Sequence, residues 1–225
     1  MKNSNILAIL LFLALSVSCK TENKEKAPLK KEISTLPFFN TGDFTPEWIS
    51  IDDKTYSDIH SIPDFSFINQ DGLEVTQDTY KGKIYVADFF FTSCTGICRS
   101  LSLNMKILQE EFMDDPDVYL LSHSVTPSMD SVPVLKKYAK DYGVNSKKWN
   151  LVTGDKEVIY ELARTAYFSD EDFVKTKEAS EFIHTENFLL IDAKGRIRGV
   201  YNGTLQLEAK RLIRHIKLLK AEMAS

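Results

Sequence analysis

Two cysteines separated by three residues have the clearest chemical potential in this sequence. Cys94 and Cys98 lie in FTSCTGICR, between a strongly apolar run and a segment with helical spacing. On a helical turn, residues four positions apart face the same side, so the two sulfur atoms can form a disulfide or share one metal ion. The amino end of a helix favours the thiolate, which attacks disulfides and binds soft metals. The pair therefore indicates redox chemistry or metal binding.

A purely structural disulfide is a further interpretation of the same pair. Such a bond would enclose only the three residues between Cys94 and Cys98. A loop this small constrains the unfolded chain little and contributes little stability. We therefore favour a chemical role for the two thiols.

A histidine as a third donor would distinguish a metal site from a redox pair. His184 directly precedes the predicted strand NFLLID, a segment that we expect to lie beside the cysteine turn. An imidazole there would complete a site of two sulfurs and one nitrogen. Of the other histidines, His215 is predicted at the surface, His60 in an irregular segment, and His123 as a hydrogen-bonded core or half-buried residue.

The elements that must position these residues form one α/β domain. Alternating strands and helices predict a mixed sheet with helices on both faces. The predicted elements are a hairpin over 65–76, a buried strand over 84–91, a helix over 97–112, a strand over 118–125, a helix over 132–142, a strand over 149–152, a helix over 155–167, a hairpin over 187–201 and a helix over 205–222.

The N-terminus has the pattern of an export signal. Residues 6–15 are an unbroken apolar run, which suits a signal peptide and is short for a membrane span. Small residues then precede Cys19, as in a bacterial lipobox, although Ser16 stands where the usual lipobox has leucine. We predict a lipoprotein signal peptide over 1–18, a lipidated Cys19 with a flexible tether over 19–45, and a folded domain over 46–225. An uncleaved anchor, or a signal cut elsewhere, is the alternative.

Composition excludes several classes of protein. The 225 residues are 43% hydrophobic and 27% charged, as in ordinary globular chains. The net charge of −4 leaves no basic footprint for nucleic acid. Three cysteines are too few for a disulfide-dense scaffold.

Three segments resemble the Sco/SenC family of copper proteins: YVADFFFTSCTGIC, SVTPSMDS and FIHTENFLLIDAKGRI. Members are membrane-anchored, thioredoxin-like domains that help assemble the dinuclear copper centre of cytochrome c oxidase. The resemblance covers Ile62 to Lys220. It implies a thioredoxin-like fold with an N-terminal hairpin, and copper as Cu(I) or Cu(II) bound by Cys94, Cys98 and His184. It also implies a supporting role for Asp130 and a Cys94–Cys98 disulfide in the oxidised protein.

The chain departs from the family pattern near the cysteines. The family usually has C-P-x-x-C-P where this chain has CTGICR, so both prolines are missing. Arg99 adds a cation that we expect to lower the neighbouring thiol pKa. Thr126 replaces the first aspartate of the family's acidic turn, which reduces the number of carboxylates near the site.

These observations lead to two main functional hypotheses. The first is a copper metallochaperone without turnover, exported and membrane-anchored, facing the periplasm or cell exterior. Its partners would be the copper-bearing subunit of cytochrome c oxidase and possible copper carriers or thiol reductants, with no nucleic acid. The second is a membrane-anchored thiol–disulfide oxidoreductase that reduces cysteines of a copper-site partner, with Cys94 attacking and Cys98 resolving.

Two other readings follow from the same residues. A peroxiredoxin-like peroxidase would use one activated thiol with Thr92 and Arg99, but the paired cysteines argue against it. Zinc is compatible with the ligand types if Asp130 supplies a fourth ligand.

Overall fold

The helices and strands follow the predicted order along the chain. A computed structural model describes residues 35–170, 175, 183 and 185–224. Within that part the strands are β1 (Ser66–Asn69), β2 (Glu74–Thr76), β3 (Ile84–Phe90), β4 (Val118–Ser124), β5 (Trp149–Thr153), β6 (Asn187–Ile191) and β7 (Ile197–Asn202). The helices are α1 (Gln77–Tyr80), α2 (Cys98–Glu111), α3 (Val132–Tyr142), α4 (Lys156–Glu161) and α5 (Gln206–Ala224), with a 3₁₀ turn at Lys54–Asp58.

The strands form one mixed sheet in the order β2-β1-β5-β4-β3-β6-β7. The central strands β3, β4 and β5 are parallel, whereas β6 runs antiparallel to β3 and the two edge pairs are antiparallel hairpins. Every residue of β3 is buried, as its apolar sequence predicts for a strand covered on both faces. The predicted α/β class and mixed sheet are confirmed.

Each face of the sheet has its own hydrophobic core. Helices α2, α3 and α5 cover one face, where Val86 and Phe90 of β3 pack against Leu101 of α2. The other face is covered by α1, α4 and the chain around residue 62, and it contains Tyr85 and Phe89 of β3. Alternate residues of β3 therefore point into different cores.

The folded part begins before residue 46, where the sequence places the start of the domain. Leu36 and Phe38 are buried, and the Arg198 side chain donates hydrogen bonds to the backbone carbonyls of Leu36 and Pro37. Glu222 of α5 accepts a hydrogen bond from the Leu36 amide. Residues 36–45, assigned above to the tether, thus belong to the folded unit that spans Ile33–Ser225. The signal peptide and Cys19 lie outside the described residues.

Local signals explain where several helices end. Helix α3 stops at Gly143, whose positive φ of 71° is readily adopted by glycine, and its amide bonds back to the last turn. Asp155 caps α4 by accepting a hydrogen bond from the Val158 amide. The predicted helix over 155–167 is divided: after α4 the chain widens into a π turn at Leu162–Ala166, and the Tyr167 amide bonds to the Leu162 carbonyl.

In the part of the chain that the structure describes, none of the helices is long and apolar enough to cross a bilayer.

Candidate metal and thiol site

The cysteine turn connects the central strand to the first residues of α2. Strand β3 ends at Phe90, and α2 begins at Cys98 itself. The Cys98 side chain faces the core covered by α2, where the residue is only 3% exposed, whereas Cys94 is half-buried at the surface of the turn. The predicted placement between a buried strand and a helix is confirmed. Both cysteines are free thiols in the structure, so the disulfide stays a prediction.

The pKa values of the two thiols are shifted in opposite directions. Partial burial acts to raise the pKa of Cys94, but hydrogen bonds from the Cys98 thiol and from the backbone amides of Cys98 and Gly96 outweigh it and bring the pKa below its usual value. Burial raises the pKa of Cys98 to about 12, and its hydrogen bond to Cys94 adds to the rise. The pair therefore combines an accessible thiol of lowered pKa with a buried thiol of raised pKa.

Hydrogen bonds, rather than a side-chain cation, lower the pKa of Cys94. Arg99, predicted to supply that effect, is exposed at the start of α2. The amides that act on Cys94 belong to the turn and to the first residue of the helix, where backbone N–H groups have no partner within the helix.

Asp130 ties the cysteine turn to the loop after β4. It is fully buried, and its carboxylate accepts hydrogen bonds from the Thr92 amide at 3.2 Å and from the Thr92 hydroxyl. The hydroxyls of Ser124 and Thr126 donate to the same carboxylate at 2.6 and 3.0 Å. Thr92 is two residues before Cys94, so its hydrogen bonds to Asp130 hold the start of the cysteine turn in place. This geometry suits a supporting role more than direct ligation, because four donors already occupy the two oxygens.

His184 lies outside the described residues. Its neighbours Ile183 and Thr185 are described and buried. Strand β6 follows them and pairs with β3 in the register Ala87 with Leu189, so the chain enters β6 at the end of β3 that leads to the cysteines. Among the described residues, no group of three or more histidine, cysteine or acidic side chains has the geometry of a metal site.

The described histidines have structural surroundings. His60 Nε2 lies 2.8 Å from the Ala166 carbonyl oxygen, and His215 Nδ1 lies 2.8 Å from the Tyr201 hydroxyl. His215 is half-buried rather than at the surface as predicted, because it packs beside Tyr201. His123 is completely buried on the face opposite α2, as predicted for a core residue, but its ring nitrogens make none of the hydrogen bonds expected of it within the described residues.

A buried carboxyl group beneath the cysteines was not predicted. Asp88 of β3 is 2% exposed and accepts a hydrogen bond from the Ser122 hydroxyl of β4. Burial raises the pKa of Asp88 to about 7, and the hydrogen bond from Ser122 only partly opposes it. Its charge contributes to the raised pKa of Cys98. The available signal was one acidic residue inside the apolar run IYVADFFF.

Comparisons with known proteins all point to one family. The SCO1/SenC family model matches residues 53–220. A SCO1 protein homolog of Bacillus subtilis (strain 168) is 34% identical over 146 residues, which are 64% of this chain and 75% of that protein.

Solved structures share the fold. A SCO1/SenC family lipoprotein from Bacillus anthracis str. Ames has a TM-score of 0.62 at 30% identity, covering 72% of this chain and 95% of that one. BsSco, described with a disulfide switch and as a member of the Sco family of cytochrome c oxidase assembly proteins, has a TM-score of 0.58 at 29% identity, covering 72% and 94%. Arabidopsis thaliana ScoI with copper bound shares the fold at 23% identity, with a TM-score of 0.54 and coverage of 71% and 98%.

Proposed function

The chain belongs to the SCO1/SenC family, and from that premise we propose that it is a copper-binding metallochaperone with Cys94, Cys98 and His184 as ligands. The observation that carries the proposal is the paired thiols at the end of β3, beside the start of β6. Cu(I) prefers thiolates and few ligands, and Cu(II) accepts thiolate with imidazole. Copper bound to a family structure of the same fold supports this choice of metal.

The turn suits a metal that must be passed on. Cys94 is partly accessible, and Asp130 holds the preceding Thr92 by accepting hydrogen bonds from its amide and hydroxyl. With Cys94, Cys98 and His184 as its only protein ligands, copper would have an incomplete coordination shell. A partner ligand can approach there and take over the metal.

An anaerobic Cu(I) titration of the full, reduced chain in detergent tests the ligand set. We expect one tightly bound copper per chain, much weaker binding in His184→Ala, and loss of the site in Cys94→Ser and Cys98→Ser. His215→Gln is the matched control, because that imidazole packs against Tyr201. Equal copper binding by wild type and His184→Ala would exclude the three-ligand site.

The acceptor we propose is the copper-bearing subunit of cytochrome c oxidase. The family resemblance and the description of BsSco as an oxidase assembly protein support this partner. Mixing the copper-loaded chain with the apo copper domain of the subunit should move copper to the subunit. Retention of copper by the chain, with the reduced subunit present in excess, would argue against delivery.

A lipid anchor at Cys19 would hold the protein at the outer side of the membrane. The lipobox-like segment supports this localisation, as does the lipoprotein description of the Bacillus anthracis relative. Mass spectrometry of the mature chain should find Cys19 as a diacylglyceryl-modified N-terminus, and Cys19→Ala should release the protein from membranes or block its processing. An unmodified chain that begins elsewhere would contradict the anchor.

A second function, thiol–disulfide exchange, is favoured by the unequal acidities of the two thiols. A nucleophile with a lowered pKa beside a buried thiol is the arrangement that such exchange requires. At pH 7, iodoacetamide should alkylate Cys94 rapidly and leave Cys98 almost unmodified. Similar alkylation rates for the two thiols would argue against exchange while leaving copper binding open.

A further inference from the structure

An open groove of about 530 Å³ lies where the described chain begins. Thr35, Leu36 and Trp48 line it, and the Trp48 indole N–H donates a hydrogen bond to the Thr35 carbonyl at 3.4 Å. An adjoining groove of about 330 Å³ shares Ile51 with the first and is also lined by Met223, near the end of α5. The two together form one continuous depression, which we call the N-terminal groove.

Three large apolar side chains on the N-terminal groove are open to solvent. Trp48 is 61% exposed, Ile51 is 71% exposed and Met223 is 45% exposed. Beneath them the groove has a packed floor, because Phe38 is buried and the Arg198 guanidinium lies 4.2 Å from the centre of its ring. Large apolar side chains that cluster on a packed surface indicate an interaction site, whereas single ones scattered over a surface do not.

The N-terminal groove lies at the opposite end of the sheet from the cysteine turn. Lys194, in the turn between β6 and β7, lines the groove, whereas β6 begins near the end of β3 that leads to Cys94. The seven residues of β3, at about 3.3 Å each, separate the two ends by roughly 20 Å. A surface bound at the groove therefore leaves the cysteine turn free.

The chain outside the described residues leads from this groove to the lipid anchor proposed above. Residues 20–34 separate Cys19 from Thr35, and a segment of that length spans at most roughly 55 Å when fully extended. With Cys19 in a bilayer, the groove therefore stays close to the lipid surface. A contact too weak to form in free solution becomes effective at such a high local concentration. The inference drawn from this placement rests on the proposed anchor.

We propose that the N-terminal groove docks on the bilayer that carries the lipid anchor, with Trp48 and Ile51 entering the lipid interface. Tryptophan favours the boundary between headgroups and acyl chains, where its ring is in apolar surroundings and its N–H in polar ones. Isoleucine gains free energy by leaving water. Exposed charges of both signs flank the groove, among them Asp52 and Lys194, so apolar insertion rather than attraction to anionic lipid holds the contact. Docking points the cysteine turn away from the membrane, toward exported partners.

The two tryptophans of the chain make this contact measurable. Trp48 is exposed, whereas Trp149 is only 1% exposed, so lipid can reach only the first. The chain from Cys19 onward, with Cys94→Ser and Cys98→Ser, is coupled through Cys19 to a maleimide lipid in phosphatidylcholine vesicles that contain a brominated phosphatidylcholine. Bromine quenches the fluorescence of an indole that contacts the acyl chains. The coupling places every chain on the bilayer whether or not the cell lipidates Cys19, so failure of the anchor and failure of the docking surface are separate results.

We expect brominated lipid to remove about half of the Trp48 emission, and coupling to the vesicle to lower its quenching by acrylamide about threefold, as for an indole in the interface. Trp48→Phe leaves only the Trp149 emission, which both quenchers should change little. Ile51→Asp, at an exposed position, should restore acrylamide quenching to the level of the uncoupled chain. Leu207→Asp is the matched control, because Leu207 is 73% exposed and lies roughly 24 Å along α5 from Met223. It should leave docking unchanged.

Each of three results would overturn the docking surface. Trp48 emission that brominated lipid leaves unchanged, with full access for acrylamide on the vesicle, would show that the groove stays in water. Protection of Trp48 in the uncoupled chain without lipid would show that residues 20–34 or a second copy of the chain covers the groove instead. Equal loss of protection in Ile51→Asp and Leu207→Asp would place the contact outside the groove. If the coupled chain docks but Cys19 is unmodified in cells, the anchor fails and the docking surface stands.

Discussion

The two faces of strands β3 and β4 each bury a polar side chain, but the surroundings of the two side chains differ. Toward α2, Asp88 is hydrogen-bonded by Ser122 and lies in the core that contains Cys98. Toward α4, His123 stacks on Phe89 with ring centroids 4.9 Å apart. Its two ring nitrogens make no hydrogen bond of normal geometry within the described residues. Both side chains are buried, but only Asp88 has a hydrogen-bond partner.

The two groups also have opposite effects on the pH dependence of stability. Asp88 has a pKa of about 7 in the folded protein against 3.8 in the unfolded chain, so the folded state retains its proton over that interval and stability falls as pH rises. His123 has a pKa lowered by burial to about 3 against 6.5, with only weak opposition from the Asp88 backbone. Stability therefore falls as pH decreases from 6.5. Between about pH 4 and 6.5 the two slopes largely cancel in wild type.

The largest expected effect comes from removing the carboxyl group. At pH 8, Asp88→Asn should raise the free energy of unfolding by about 4 kcal/mol, because the penalty on the buried carboxylate disappears. At pH 4.5 the gain should be about 1 kcal/mol, since the folded protein already holds Asp88 neutral there. Urea denaturation at both pH values measures the difference. Equal gains at the two values would show that the effect is packing and not ionisation.

Replacing the histidine should show the opposite dependence. At pH 4, His123→Phe should raise the free energy of unfolding by about 3 kcal/mol, because the unfolded chain no longer gains stability by protonating this imidazole. At pH 8, where the imidazole is neutral in both the folded and unfolded chain, this gain should vanish. Combining the variant with Asp88→Asn should remove both slopes, so the double variant should be as flat as wild type between about pH 4 and 6.5 while each single variant shows the slope of the remaining group. A single variant with the wild-type profile would contradict the assignment of the group it removes.

Removing the acceptor that fixes the cysteine turn should have a smaller effect, in the other direction. Asp130→Ala leaves the donors of Thr92, Ser124 and Thr126 without their acceptor, so stability should fall by about 2 kcal/mol. Copper affinity should fall with it, because Thr92 precedes Cys94. The neighbouring Met129 is 61% exposed, and Met129→Ala should change neither quantity. A copper affinity unaffected by Asp130→Ala would remove its supporting role.

The smallest expected effect concerns the polar contact between two helices. Ser102→Ala removes the hydrogen bond to the buried Tyr138 hydroxyl and should cost about 1 kcal/mol. Ser100 is exposed on the same helix, so Ser100→Ala provides the matched measurement of helix propensity. Thermal denaturation of the two variants gives the difference. Equal stabilities would show that the polar contacts on this face contribute little to folding.

The sequence predicts the cysteine turn well because its signals are local. A continuous apolar run predicts the central strand, and helical spacing after Cys98 predicts α2. Gly143 and Asp155 mark helix boundaries by their own backbone and capping preferences. These features need no knowledge of distant contacts.

The features that sequence could not supply depend on residues far apart in the chain. Leu36 enters the core because Arg198 and Glu222 bind its backbone, and no local pattern reveals those partners. Likewise, Asp88 shows in the sequence as one acid in an apolar strand, and only the approach of α2 places it beneath Cys98. The ligand role of His184 remains a prediction.

The pairing of β3 with β6 has a consequence for the order of assembly. Ala87 pairs with Leu189, 102 residues later, whereas β3, α2 and β4 are consecutive in the chain. Contacts between distant segments form slowly because long loops must close first. We therefore expect the turn with Cys94 and Cys98 to take shape while the strand that flanks it is still unpaired. If the chain folds after export, as proposed above, its two thiols are accessible to oxidation during that interval, and an early supply of reductant would increase the fraction that keeps both thiols free.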